Sequence, residues 1–415
     1  MSKIKVGLIG AGQRGKDVYG NYALINPEHI EFVAVAEPNE IKRKEFSEKH
    51  NIKVEYQFES WEQLLEKEKF CDAVVIATPD RVHFEPAKLA LKRGYHILLE
   101  KPMSSIPEEV MNLGALAKEN NKVFMICHVL RYTPFFSTIK QIIDSGEIGD
   151  IMSIQHNENI GYFHFGHSFV RGNWRNSNLS SSLILQKSCH DMDILLWLVG
   201  SPCRKIASFG ELSYFKKERK PEGAGDRCTK CSIEAECPYS AIKLYYNNVG
   251  RWPTTAIVEI QTIDEVKKAV DEGPYGRCVY NCDNNVVDHQ STILEFENNV
   301  TATFNLSAFT NKVNRTIKIM GTKGEIRAID SKNEIEVQLF DTNERKVINP
   351  KQITGGHGGG DTGIMEDFIS LILSNEGKAL TSASVSVQSH MMAFAAEESR
   401  LKGKVVDIKE YYSNF

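Results

Sequence analysis

A glycine-rich turn directly after the first strand-like run constrains this chain more than any other feature. Residues Ile4–Ile9 are apolar and rich in β-branched side chains, and Gly10-Ala11-Gly12-Gln13-Arg14-Gly15 follows at once. Glycines there allow a tight turn and let backbone N–H groups approach a pyrophosphate at a helix N-terminus. A second apolar run, Glu31–Ala36, leads into Glu37. A carboxylate at that place accepts hydrogen bonds from an adenosine ribose and repels a 2′-phosphate. The pattern predicts a dinucleotide site for NAD, with Gly10, Gly12, Gln13, Arg14, Gly15 and Glu37 as contacts. Lys42 and Arg43 keep NADP as the lesser alternative.

Further strand-like runs follow at Ala73–Ala77, His96–Leu99 and Lys122–Cys127. Helical stretches lie between them at Glu40–Lys49, Trp61–Glu66, Phe84–Arg93 and Pro107–Glu119. This alternation predicts a doubly wound parallel sheet, an α/β class fold with helices on both faces. Short runs that are apolar on both sides suit buried central strands. At 415 residues the chain is too long for one comfortable core, and the predicted division is 1–127 and 128–415. Past a helix over Phe135–Asp144 and a turn from Gly146 to Gly149, the runs become longer and more alternating. They are Met152–Asn157, Ile206–Ser213, Thr255–Gln261, Thr292–Glu297, Thr301–Leu306, Arg315–Met320 and Glu325–Ala328. They predict an α+β domain with a mostly antiparallel sheet, interrupted by a helix over Cys189–Leu198. Helices are also expected over Met365–Ser374 and Val385–Lys402, the latter returning to the first domain.

Charge and cysteine content narrow the partners. The net charge is -4 and no long basic run occurs, which argues against nucleic acid or an anionic membrane as the main partner. No apolar stretch is long enough to span a bilayer, and no signal architecture precedes Ile4, so the cytoplasm is the expected address. The nine cysteines are then expected as thiols. Residues 215–240, extended to 285 by the later cysteines, read as an insertion with no core of its own. Cys228, Cys231 and Cys237, with Cys282 or Cys278, have a spacing suited to a tetrahedral structural zinc that would pin it. An iron–sulfur cluster is the lesser alternative, and free thiols the plain one.

Chemistry-bearing residues gather at strand C-terminal ends, where ligands bind in open α/β sheets. Thr78-Pro79-Asp80-Arg81-Val82-His83 follows Ala73–Ala77, and Glu100-Lys101-Pro102 follows His96–Leu99. By spacing alone, Lys101 reads equally as a surface lysine paired to Glu100. Arg131 and Tyr132 follow the last of these strands, and Tyr162 to His167 leads on to Arg171, Asn173, Trp174 and Arg175. Rings among Arg, His and Asn suit a polyol, although a core cluster has the same composition. The segment Gly355 to Asp361 sets five glycines around His357, with Asp361 or Thr362 able to cap the helix that follows.

Together these motifs resemble the Gfo/Idh/MocA family of oxidoreductases, named for glucose-fructose oxidoreductase, inositol dehydrogenase and a rhizopine-catabolism protein. The likeness rests on the glycine loop, Ala77-Thr78-Pro79-Asp80 with His83, and Glu100-Lys101-Pro102. It extends to Gly146-Glu147-Ile148-Gly149, His190-Asp191-Met192-Asp193 with Trp197-Leu198-Val199-Gly200, and Gly321-Thr322-Lys323-Gly324. It implies a Rossmann domain plus an α/β domain with a large open sheet, which often packs against another subunit, so a homodimer or homotetramer is expected. It adds Thr78, Pro79, His83, Glu100 and Lys101 to the cofactor contacts. It implies that Lys101 lies between nicotinamide and substrate hydroxyl, aimed by a backbone stiffened at Pro102, with His190 as the second catalytic group.

One position departs from the family pattern. Many members carry an aspartate four residues before this histidine, and here Gln186 stands there. Either Lys187 or Asp191 compensates, or the proton inventory differs, while the plain alternative has His190 over a core helix with Asp193 and Trp197. The expected substrate contacts are Arg131, Tyr132, His164, Trp174, Gln186, Lys187, Asp191 and His357. The His357 loop also resembles one in NAD-dependent glycosidases of the superfamily. Three activities follow in order of expectation. The first is hydride removal from a secondary hydroxyl of a sugar, glycoside or cyclitol. The second is a redox-neutral glycosidase or lyase with tightly held NAD, and the third is a non-catalytic ligand sensor.

Overall fold

In the computed structural model, residues 3–353 and 356–415 are described. Six strands form the first sheet: β1 (Ile4–Ile9), β2 (Ile30–Ala36), β3 (Gln57–Phe58), β4 (Ala73–Ile76), β5 (His96–Leu99) and β6 (Phe124–Ile126). All pair in parallel, in the order β3-β2-β1-β4-β5-β6. The order reverses between β1 and β4, which opens a crevice at their C-terminal ends. Val6, Leu8, Val74 and Val75 are fully buried because helices cover both faces.

The second sheet has nine strands. They are β7 (Ile151–Asn159), β8 (Cys203–Glu211), β9 (His289–Phe296), β10 (Thr301–Ser307), β11 (Asn314–Gly321), β12 (Gly324–Ile329), β13 (Glu334–Leu339), β14 (Arg345–Ile348) and β15 (Val406–Asp407). Their order is β14-β13-β12-β11-β7-β10-β9-β8-β15, and only the β7–β10 pair is parallel. One face is packed, and Phe209 and Ile293 stand exposed on the other.

The helices that position the site are α1 (Glu40–Lys49), α2 (Phe84–Lys92), α3 (Pro107–Glu119), α4 (Pro134–Asp144), α5 (Cys189–Val199), α6 (Ala241–Tyr246), α7 (Ile263–Glu272), α8 (Gly360–Ser374) and α9 (Ala383–Lys402). The last two return to the first sheet. Ile364, Met365 and Phe368 of α8 join Val6, Leu8 and Phe32 in one core cluster. Ala383, Val387 and Met391 of α9 join Val74, Ile76 and Leu113 in another. Gly114 makes the close approach of α3 to α9 feasible, since a Cβ there would meet Val387 at 2.3 Å. Among the described residues, no helix is long and apolar enough to cross a membrane.

Three expectations are corrected. Thr255–Gln261 is no strand. After Pro253 it turns through a single helical turn, Thr254–Ala256, and pairs with no strand. The strands β13 and β14 escape the sequence pattern because charged residues alternate with Ile335 and Val337 on β13 and fill the edge strand β14. The insertion does have a core. Ala241 and Tyr245 on α6 pack with Val266 and Val270 on α7 and with Cys228, each helix supplying an i, i+4 pair.

Candidate functional site

The glycine loop after β1 is shaped by backbone contact. Gly10 has φ +94°, and a Cβ there would meet Ala77 O at 2.7 Å. A Cβ on Gly15 would meet Gly10 O at 2.1 Å, whereas Gly12 faces open space, where a ligand can approach the backbone. The Glu37 carboxylate accepts from Ala11 N (2.8 Å) and Asn39 N (3.0 Å), which holds it at the loop. Both nearby cations are engaged elsewhere. Lys42 pairs with Glu259 (3.2 Å), and Arg43 donates to Glu37 O (2.6 Å). Glu259 and Thr255 belong to the insertion, and Gln13 Nε2 donates to the Thr255 hydroxyl (3.3 Å). The insertion therefore reaches across to the nucleotide loop. The cradle fits a dinucleotide: open backbone at Gly12, a helical segment starting at Arg14 and a fixed carboxylate at Glu37.

At the end of β5, Glu100 is buried and accepts from Arg14 Nε (2.5 Å) and from the Tyr19 hydroxyl. Burial pushes its carboxyl up, but Arg14 and Tyr19 outweigh this and hold it below the usual range. Lys101 is not a surface partner of Glu100. Its Nζ donates to Gln186 O at 2.7 Å, across to the second domain. His83 is buried, with ring nitrogens 2.6 Å from Pro102 O and 2.8 Å from Thr78 O. It ties the loop after β4 to the one after β5 and so positions Lys101, with no ring edge left for a cofactor. Thr78 and Pro79 lie on that same loop.

His190 opens α5, which lies in the second domain opposite Lys101. It is buried, and its Nδ1 has no hydrogen-bond partner. Its ring centroid stands 5.7 Å from that of His128 and 6.1 Å from that of His357. Burial, then the charge of Lys101, holds the imidazole well below its usual pKa, so it is neutral. His357 sits in the left-handed region at φ 51° and bonds Asp361 (3.1 Å). Asp361 also accepts from Arg14 Nη2 (2.8 Å) and Nη1 (3.1 Å). Burial pushes the Asp361 carboxyl up, but His357 and Arg14 prevail and hold it well below the usual range. A chain of ion pairs and a final hydrogen bond, Glu100–Arg14–Asp361–His357, thus links the glycine-loop end to the ring beside His190. The sequence reading of Asp361 as a helix cap missed this link. Gly355 of that loop lies outside the described residues.

Several expected substrate contacts are committed elsewhere. The Gln186 amide donates to Trp174 O (2.9 Å), and its Oε1 faces the Ser180 hydroxyl (3.1 Å), so only its carbonyl reaches Lys101. Arg131 grips Asp193 through two bonds (2.7 and 2.6 Å) and is buried. Tyr132 donates to Asp367 on α8 (2.7 Å). Asp191 is fully buried and held by Arg315 (2.7 Å) and His156 (2.8 Å). The polar groups of these three already have protein partners. Lys187 pairs with Glu158 (3.2 Å), its side chain 18% exposed. Burial first, then Arg315 and Lys101 against Glu158, lowers its pKa. His164 is half-buried, its Nδ1 enclosed without a hydrogen-bond partner and its ring 5.0 Å from Trp252, and Trp174 is exposed beside Phe169.

The metal expectation on Cys228, Cys231, Cys237 and Cys282 finds no support. Among the described residues, no group of three or more His, Cys, Asp or Glu side chains is placed to hold a metal ion. Cys228 Sγ accepts from Ala241 N (3.4 Å) and Arg171 Nη2 (3.6 Å), and Cys282 donates to Cys278 O (3.3 Å). The insertion's own apolar core supplies the stability that a metal was expected to give.

Comparison with known proteins fits this geometry. Residues 4–128 match the Gfo/Idh/MocA model described as an oxidoreductase family with an NAD-binding Rossmann fold, and residues 140–408 match that family's C-terminal alpha/beta domain. YteT of Bacillus subtilis (strain 168), named as an oxidoreductase, is 24% identical over 348 residues, covering 79% of this chain and 78% of its own. The scyllo-inositol 2-dehydrogenase (NADP(+)) IolW of the same organism is 26% identical over 201 residues, covering 48% of this chain and 52% of its own. The structure of a levoglucosan dehydrogenase in complex with NADH and levoglucosan superposes with a TM-score of 0.74 at 20% identity, covering 98% of this chain and 100% of that one.

Proposed function

We propose that this chain, which belongs to the Gfo/Idh/MocA family of oxidoreductases, oxidises a secondary hydroxyl of a sugar, glycoside or cyclitol with NAD. One observation carries the reading. The ammonium of Lys101 reaches across to Gln186 O (2.7 Å), four residues before His190, whose neutral imidazole feels its charge. Bound NAD supplies the hydride acceptor. Lys101 donates a hydrogen bond to the substrate oxygen and favours its deprotonated form. His190 accepts the hydroxyl proton, as a neutral ring can. The exposed His357, oriented by Asp361, passes a proton to solvent. Relatives named for scyllo-inositol and levoglucosan support the substrate class.

The cofactor reading favours NAD over NADP. Glu37 occupies the ribose position, and Lys42 and Arg43 are engaged by Glu259 and by the Glu37 carbonyl. Phe209 and Ile293 on the open sheet face support a homo-oligomer, and nine free cysteines suit a reducing cytoplasm. A second reading, redox-neutral elimination with retained NAD, is favoured by one feature. The insertion touches the nucleotide loop at Gln13 and α1 at Lys42, on the side where a retained cofactor would be enclosed. Incubation of purified protein with NAD and a panel of sugars, glycosides and inositols, read by NADH absorbance, separates the two. Accumulating NADH supports the dehydrogenase. Substrate cleaved without net NADH, with NAD still bound, sinks it and favours elimination.

A further inference from the structure

A cavity of about 540 Å3 lies between the Tyr162–Phe165 helical turn and the insertion, away from the glycine loop. That volume is in the range of small-molecule sites. Its walls include the rings of Tyr162, Phe163, Tyr239 and Trp252, together with Asn248 and Arg171. Arg171 is 2% exposed, yet no carboxylate lies within ion-pair distance of it among the described residues. Its Nε donates to Arg277 O (2.7 Å) and its Nη2 to Tyr239 O (2.7 Å) and Cys228 Sγ (3.6 Å). The Tyr245 hydroxyl hydrogen-bonds the guanidinium and His167 Nδ1 (2.9 Å), and neither is an anion. Nη1 is the guanidinium nitrogen nearest Gly166 on the cavity wall, 3.8 Å from where a Cβ would stand. A buried guanidinium without an anion is costly, and an arriving carboxylate relieves that cost. The lining's one carboxylate, Glu236, is exposed.

The cavity is not remote from the chemistry. Trp252 forms one of its walls and packs edge-on against His164, whose ring feels the charges of Lys187 and Lys101. Four rings suit the apolar face of a pyranose, an amide suits its hydroxyls, and a lone guanidinium suits a carboxylate.

We propose that this cavity is a second binding site, for an acidic sugar unit (a uronate), held by Arg171 through its carboxylate and by Trp252 and Tyr239 through ring stacking. The proposal rests on the carbohydrate reading above and extends it: the protein also takes an acidic sugar. Binding is measured directly, by calorimetry or saturation-transfer NMR on NAD-loaded protein, with D-galacturonate, methyl galactoside and galactose 6-phosphate as probes. D-galacturonate is expected to bind, and the neutral glycoside more weakly. Arg171→Lys and Trp252→Ala should each weaken D-galacturonate roughly tenfold to a hundredfold, while Lys101→Ala should not. Trp252 is partly exposed, so its variant remains informative if the Arg171 variant misfolds. Failure of the dehydrogenase reading leaves this pattern intact. No binding of D-galacturonate, preference for the phosphate, or loss in Lys101→Ala without loss in Trp252→Ala would overturn the proposal.

Discussion

Replacing Asp361 with Asn tests the ionic chain that joins the cofactor end to the histidines. Asp361 accepts two hydrogen bonds from Arg14 (2.8 and 3.1 Å) and one contact from His357 (3.1 Å), with its side chain 5% exposed. The amide removes the charge and turns an N–H group toward a cation. Each hydrogen bond to a charged group is worth about 1.5–3 kcal/mol. Breaking a fully buried pair costs about 3–5 kcal/mol. The cost here falls below that, at about 2–3 kcal/mol, because Arg14 keeps Glu100 and is itself partly exposed. The pH dependence follows from the depressed carboxyl. Its stabilisation is present above the ordinary carboxylate range, near 3.9, and is lost as pH falls through the lower folded value. The gap between wild type and Asp361→Asn, measured by denaturant unfolding, should therefore be constant from about pH 5 to 7 and close in stronger acid. Loss of the group that orients His357 should also lower kcat, by roughly tenfold or more. A variant as stable as wild type at pH 7, or a gap that widens in acid, would refute the reasoning.

Three further outcomes are expected. Glu37→Ser should raise NADP affinity relative to NAD by roughly tenfold or more, read by titration of each cofactor, because the fixed carboxylate no longer repels a 2′-phosphate. Gly15→Ala should weaken NAD binding severely, since its Cβ would sit 2.1 Å from Gly10 O and the loop must open to relieve it. Prolonged chelator treatment should leave the unfolding temperature unchanged, because the insertion stands on Ala241, Tyr245, Val266 and Val270; a marked drop would restore the zinc expectation.

The first sheet and its cradle were legible in sequence because their constraints are local. The turn at Gly10, the carboxylate closing β2 and the lysine ending β5 each sit next to the strand that places them. Partners distant in sequence were not legible. Arg131 and Asp191 look like pocket residues until the structure supplies Asp193, 62 positions from the first, and Arg315, 124 from the second. Asp361 reads as a cap because Arg14 lies 347 residues away. Thr255, Ile257 and Val258 share the composition of a strand, but Pro253 precedes them and no strand pairs with them. The insertion's core was missed because the polar, cysteine-bearing stretch before it read as a loop, although Val266 and Val270 recur at helical spacing on α7.

The central claim concerns Lys101. The most direct test is kcat/KM for NADH formation by wild type and Lys101→Met on the best substrate of the panel. A loss of roughly 10²–10⁴-fold is expected for a group that handles the reacting hydroxyl. A variant that stays within a few fold of wild type would contradict the account.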